Sequence, residues 1–326
     1  MKKNILFIMI ISLMIIFAGC ENSTSKGNQN GYSLDSFNGG NSALEFNFIE
    51  GYPPKNIRDQ SLVPFNVMLN IKNVGEFDIP DDSAFVRLDG FNPADLGLND
   101  TTQAIMSLNG VKKQGKNIIP GRESRVSFTN LKFINSVVGS NMPIKIFANI
   151  CYPYQTKSVG IICINGNTVP SIDEKTEICK LDGEKKFSNS GGPVKIENLK
   201  QYPHGKSSIQ LSFDIVHDPS SDQASLFEPG SIDENCYIGG KSASSPSAVF
   251  KKNKVKFTVE TGVPGLKCNQ GDNSGFVTLS NDRTIVTCIQ DTTGQEEYQK
   301  QITITLDYDY LDRKSIDINV EHVQLE

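Results

Sequence analysis

The chain has 326 residues, of which 37% are hydrophobic and 21% charged; it has no tryptophan and a formal charge of −5. This composition is too apolar for an extended disordered chain and too polar for a multi-span membrane protein, and its length accommodates two domains of about 100–200 residues. Without an excess of Lys and Arg to neutralise phosphates, no nucleic-acid partner is expected. The three histidines, His204, His217 and His322, offer little for a histidine-built metal or acid–base site.

Lys2 and Lys3 precede an apolar run over residues 5–17, broken only by Ser12. As a helix this run would rise about 20 Å, short of a hydrocarbon core of about 30 Å, so it reads as a secretory signal and not as a span. Small residues and a cysteine follow it. Phe17-Ala18-Gly19-Cys20 resembles the lipobox of prokaryotic lipoproteins, with Phe in place of the more usual Leu. The resemblance implies cleavage before Cys20 and a diacylglycerol thioether on its sulfur. Residues 1–19 are then signal peptide, and loss of Lys2 and Lys3 takes the formal charge from −5 to −7. Residues 20–40, rich in Asn, Ser and Gly, are expected to be a flexible tether, since they cannot bury enough apolar surface to order themselves. The location implied is the outer face of a prokaryotic membrane, with the membrane itself a partner through lipidated Cys20.

Beyond residue 41, period-two alternation predominates, as a sheet with one core face and one wet face requires. Phe65, Val67, Leu69 and Ile71 alternate with polar or long side chains, as do Ile209, Leu211, Phe213 and Ile215; Ile302, Ile304, Leu306, Tyr308 and Tyr310 form the clearest case. The two halves repeat one order of events. In each, a strand leads to a Tyr-Pro pair (Tyr52-Pro53, Tyr202-Pro203) and then to a long alternating strand. Near each end stands a Tyr-x-Tyr, at Tyr152 and Tyr154 and at Tyr308 and Tyr310, where a turn and a final strand are expected to follow. The fold expected is all-β: two tandem immunoglobulin-like β-sandwiches over 41–172 and 192–326, joined by a polar, glycine-ended linker over 173–191. Asn70-Ile71-Lys72-Asn73-Val74-Gly75 resembles a phrase of prokaryotic surface immunoglobulin-like modules, among them the cell-adhesion-related domain of bacteria and similar archaeal domains. There a glycine takes a turn conformation that other residues reach only with strain. The resemblance implies an adhesive or assembly role; the second half departs from it, with Asp218-Pro219 in place of the glycine turn.

Six cysteines remain after Cys20, an even number that suits disulfides in an exported chain. Cys151 and Cys163 flank the turn expected near residues 154–158 and are expected to pair. Cys268 and Cys288 bracket an expected hairpin, which leaves Cys179 and Cys236. No Cys-x-x-Cys occurs, so neither zinc nor any other metal or cofactor is expected. Asp307, Asp309 and Asp312, and the loop 269–275, have the carboxylate and carbonyl content of a calcium site but read better as an outward polar face and a loop. The Tyr-x-Tyr pairs offer a sugar-stacking platform, but read better as core rings whose hydroxyls reach backbone. No nucleophile, phosphate-loop or dinucleotide motif is present. The expectation is a protein that is not an enzyme, binding an envelope protein or glycan. The alternative is a small-ligand or calcium-binding accessory to an exported enzyme or transporter.

Overall fold

The computed structural model describes residues 34–169, 178–219, 221–240 and 246–324. Cys20 and the signal segment lie outside them. In chain order the first half holds β1 (Leu44–Phe48), β2 (Asn56–Arg58), β3 (Phe65–Asn73), β4 (Ala84–Asp89), β5 (Thr102–Ile105), β6 (Lys112–Gln114), β7 (Asn117–Ile119), β8 (Glu123–Leu131) and β9 (Asn141–Ile164). The second holds β10 (Gly183–Glu184), β11 (Phe187–Asn189), β12 (Val194–Pro203), β13 (Ser208–His217), β14 (Ser225–Phe227), β15 (Lys254–Glu260), β16 (Leu266–Cys268), β17 (Ser274–Thr278), β18 (Arg283–Asp291) and β19 (Tyr298–Glu321). The fold is all-β, with one short helix at Pro246–Val249 and a 3-10 turn at Pro93–Leu96 among the described residues.

The feature that organises these strands is a ribbon. β9 and β19 are each 24 residues long and pair antiparallel over their whole length, from Asn141 opposite Glu321 to Ile164 opposite Tyr298. The turns expected after Tyr154 and after Tyr310 are therefore absent: each Tyr-x-Tyr lies in mid-strand. Proline within a central strand normally forfeits a ladder bond. Pro153 is tolerated because β4 covers β9 on its other side only over residues 147–151 and β11 only over 158–160, leaving a gap between. Pro153 faces Asp309, and about that pair the ribbon has an approximate two-fold arrangement.

The repeat seen in the sequence is carried into the pairing. β1, β3 and β8 form a three-stranded sheet, and β12, β13 and β18 neighbour one another in the same order within a five-stranded sheet flanked by β10 and β16. The β4–β5 pair joins the ribbon through β9, and the β15–β17 pair joins it through β19. Inward residues obey the period of two: Val67, Leu69 and Ile71 of β3, Ile146, Ala148 and Ile150 of β9, Leu211, Phe213 and Ile215 of β13, and Ile302, Ile304 and Leu306 of β19 all belong to one buried cluster. Hydrophobic burial thus runs unbroken through both halves. From Asp35 onward the chain is held on this body. Asp35 pairs with Lys113, and the amides of Asn38 and Gly39 donate to the Glu76 carboxylate at 2.9 and 3.0 Å.

Three disulfides are present, and two of them differ from the expected pairing. Cys151 joins Cys236, Cys163 joins Cys179, and Cys268 joins Cys288. Cys151 and Cys163 cannot meet because they sit on one continuous strand. The third pair is as expected, though its setting is different: Cys268 of β16 and Cys288 of β18 are direct cross-strand partners, while β17 pairs with β15 in the other sheet. Gly75 also has a different reason from the expected turn conformation, since its φ is not positive; a Cβ there would lie 1.8 Å from the Tyr154 hydroxyl.

At the far end of the ribbon, the fully buried Asp59 fastens three segments. Its carboxylate accepts from the Val137 amide (2.9 Å), the Val323 amide (3.0 Å) and the His322 Nδ1 (2.7 Å). Burial opposes its ionisation, but the Val137 amide, the His322 ring and the Val323 amide outweigh it and hold the carboxyl down at about 2, from an ordinary 3.8. A depressed carboxyl stabilises the fold above its unfolded value and stops doing so as pH falls through its folded one. Acidification from pH 4 to pH 2 should therefore loosen residues 322–323. The amide resonances of Val137 and Val323, followed by NMR, should titrate together near pH 2, and Asp59→Asn should abolish that step.

Candidate functional site

The waist of the ribbon is built from the two Tyr-x-Tyr pairs. Their rings point inward from even positions: Tyr308 lies 5.9 Å from Tyr154 and 6.3 Å from Tyr310, and Tyr152 lies 5.7 Å from Tyr310. All four are buried, and each hydroxyl whose bonding is resolved has a partner. Tyr154 donates to the Gly191 carbonyl at 2.9 Å, Tyr308 shares a bond with Thr156 Oγ1 at 2.9 Å, and Tyr310 meets His217 Nε2 at 3.2 Å. Burial pushes the hydroxyls of Tyr152, Tyr154 and Tyr308 well above the ordinary tyrosine value, so they stay neutral. These rings are core and offer no platform to solvent. Glycines admit them: at Gly192 a Cβ would meet Thr156 Oγ1 at 2.6 Å and the Tyr154 ring at 2.9 Å.

The odd positions of the same strands face outward and form the floor of a trough. Its central hollow, about 440 Å³, is lined by Phe77, Gln155, Lys256, Phe276, Asp307 and Asp309 among others. Phe77 and Gln155 also line a neighbouring hollow of about 520 Å³, which reaches Phe37, Lys112, Lys113 and Lys157. Pro153, Gly230 and Asp309 also line a third, of about 400 Å³, whose lining includes Asp82, Asp233 and Glu234 and no lysine or arginine. The three hollows thus share lining residues; the second mixes Lys112, Lys113 and Lys157 with Glu76 and Asp78, while the third has carboxylates and no lysine or arginine.

Across the floor runs a row in register. Phe276 of β17 is paired with Lys256 of β15, Lys256 with Asp307 of β19, and Asp307 with Gln155 of β9. At about 4.8 Å per strand the row is about 14 Å long. Gln155 Nε2 donates to Asp307 Oδ1 at 2.7 Å. Asp307 Oδ2, Gln155 Oε1 and the Lys256 ammonium have no hydrogen-bond or ion-pair partner among the described residues. Phe276 is 52% exposed, and Phe77, partly buried against the core, lines the same hollow with its ring edge-on to Tyr154 at 5.4 Å.

Asp309, one register step from Asp307, is committed to the fold. It is 3% exposed, and its Oδ2 accepts from the amides of Ser231 (2.7 Å) and Ile232 (2.9 Å). Burial raises its carboxyl above the ordinary value, and the amides of residues 230–232 offset this in part. Asp312 is likewise buried, accepting from Ser221 Oγ at 2.6 Å. The three aspartates therefore do not converge on one point. Among the described residues one grouping of His, Cys and carboxylate atoms is close enough for a metal, Cys163, Cys179 and Glu297. Its sulfurs are bonded to each other, and Glu297 Oε1 accepts from the amides of Ile178 and Cys179. The histidines stay apart, His217 bonding Asp282 and Tyr310 and His322 bonding Asp59.

The sequence reading missed Phe77, Gln155, Lys256 and Phe276. The alternation placed Asp307 outward, but only pairing across four strands shows what stands beside it. No family model matches the chain, and no curated protein matches it. Among solved structures, the secreted serine protease VesC from Vibrio cholerae aligns with 82% of this chain and 50% of its own length, at 10% identity and a TM-score of 0.17. The chain thus spans about half of that protein, and at such a TM-score the likeness carries no argument about fold or activity.

Proposed function

We propose that this chain is a lipid-anchored protein on the outer face of a prokaryotic membrane, made of two immunoglobulin-like halves in tandem, which binds an envelope component without catalysis. Three disulfides fit an oxidising, extracytoplasmic environment. No helix among the described residues is long and apolar enough to cross a membrane; the proposed anchor is Cys20, from its lipobox-like setting. The observation that carries the binding role is the trough: a hollow at the junction of the two halves in which Asp307 Oδ2, Gln155 Oε1 and the Lys256 ammonium have no protein partner among the described residues. The non-catalytic reading is supported by the carboxylates, since Asp309 is engaged by two amides and Asp307 by Gln155.

The test has two arms. The expressed chain should partition with membranes and incorporate radiolabelled acyl groups, whereas Cys20→Ser should lose at least nine-tenths of the label and of the membrane-bound fraction. Immobilised protein should retain envelope material, and Phe276→Ala should lower that retention about tenfold, or about 1.4 kcal/mol. Unchanged acylation in Cys20→Ser would refute the anchor; an empty column would refute the binding role.

A further inference from the structure

From the same trough we infer the class of its ligand: the row Phe276–Lys256–Asp307–Gln155, closed by Phe77, is a subsite for a short oligosaccharide. This rests on the binding reading above.

The argument is chemical. A pyranose presents flat C–H faces and, around its rim, hydroxyls that both donate and accept. The row supplies a match for each. Phe276 stands at one end, half-exposed, with its ring open to an apolar surface, and Phe77, a partly buried ring packed on the core, lines the hollow at the other. Between them are an acceptor in Asp307 Oδ2, a donor in the Lys256 ammonium and a further acceptor in Gln155 Oε1. The bond from Gln155 Nε2 to Asp307 Oδ1 fixes both side chains, so their open atoms are held in place before a ligand arrives. A sheet adds a further constraint, since it spaces these groups evenly along about 14 Å on a rigid element. An apolar ligand would strand the three polar heads and lose affinity for it.

The direction of the row separates a glycan from a peptide. A peptide bound by strand addition lies along an edge strand and is held through main-chain bonds. This row crosses four strands at right angles; β17 is the outer strand of its sheet, but the open groups of the row are side chains contributed by four different strands. In the third hollow, beyond Asp309, Asp82, Asp233 and Glu234 set an acidic boundary to one side of the subsite. A glycan with free amino groups is therefore preferred over one bearing carboxylates or phosphates on that side.

The full chain in detergent should be titrated by calorimetry with cellotriose, chitotriose, its deacetylated counterpart glucosamine trisaccharide, and polysaccharide extracted from the envelope of the producing cells. At least one should bind, the deacetylated form more tightly than chitotriose. Phe276→Ala and Asp307→Ala should each weaken binding at least tenfold. Lys256→Met, which keeps the unbranched stem and removes the ammonium, should weaken it less, and thermal midpoints of all three should stay within a few degrees of the parent. Flat titrations in every arm, or affinities that survive both Phe276→Ala and Asp307→Ala, would overturn the subsite. Retention of envelope protein alongside flat sugar titrations would overturn it while sparing the binding reading. New reducing ends on a bound oligosaccharide would support the subsite and overturn the non-catalytic reading.

Discussion

Gly75→Ala should be among the most damaging single substitutions in this protein, costing about 3 kcal/mol or more by denaturant unfolding, and Tyr154→Phe in the same chain should recover at least about 1 kcal/mol of it. The reason is the approach of backbone to ring at the waist. The new Cβ would lie 1.8 Å from the Tyr154 hydroxyl and 3.0 Å from the carbonyl oxygens of Gly191 and Ser42, so two of its three neighbours are backbone and cannot rotate away. Overpacking a close-packed core costs about 1–3 kcal/mol, and more where nothing can yield. Tyr154→Phe alone should be mildly destabilising, by about 1–2 kcal/mol, because the hydroxyl's bond to the Gly191 carbonyl is lost. In the double variant the colliding oxygen is gone, so the two costs should add to less than their sum. A double-mutant cycle with no such coupling would show that the waist is not packed as described.

The second large effect is expected from the disulfide between Cys151 and Cys236. Replacing both with alanine opens a loop of 85 residues, against 16 for Cys163–Cys179 and 20 for Cys268–Cys288. Loop-closure entropy makes the first worth about 4–5 kcal/mol and the other two about 3 kcal/mol each. The loss should also be local. Cys151 and Cys236 pack with Phe227, Ile238, Ala248 and Leu311 in a small cluster separate from the main core. With the bridge gone, this cluster, two amide bonds to Asp309, and Arg87 of β4, which donates to the Asn235 carbonyl and stacks on the Tyr237 ring, still hold the segment around residue 236 on the ribbon. Calorimetry should show the lowest melting temperature for Cys151→Ala/Cys236→Ala, by about 10 °C relative to the parent. Equal effects for all three pairs would contradict the loop-length account.

How far the fold was legible depended on how local each feature was. Strands β3, β13 and the first part of β19 follow from side-chain alternation, because the period of two is imposed by the strand itself. The repeat was legible too, from the Tyr-Pro and Tyr-x-Tyr phrases. The ribbon was not, because Pro153 and the polar run Gln155–Thr156–Lys157–Ser158 carry the local signature of a turn. What overrides that signature is 24 residues of pairing with a strand more than a hundred residues away. The disulfides failed with it, since the pairing of Cys151 with Cys163 presupposed the turn. The trough was hidden for a related reason: Phe276, Lys256, Asp307 and Gln155 belong to four strands, and no spacing in the sequence announces that they share a row. Asp307 and Tyr308 were sorted correctly to opposite faces, which is as much as one strand can reveal.

The most direct test of the ribbon is mass spectrometry of non-reduced peptides from protein purified from the cells that produce it. Protease fragments should contain Cys151 joined to Cys236 and Cys163 joined to Cys179. In the ribbon, Cys151 and Cys163 stand about 40 Å apart along one strand, so a bond between them would require the turn that the ribbon excludes. Finding Cys151 joined to Cys163 would break the ribbon, and finding six free thiols would remove the oxidising compartment on which the functional reading depends.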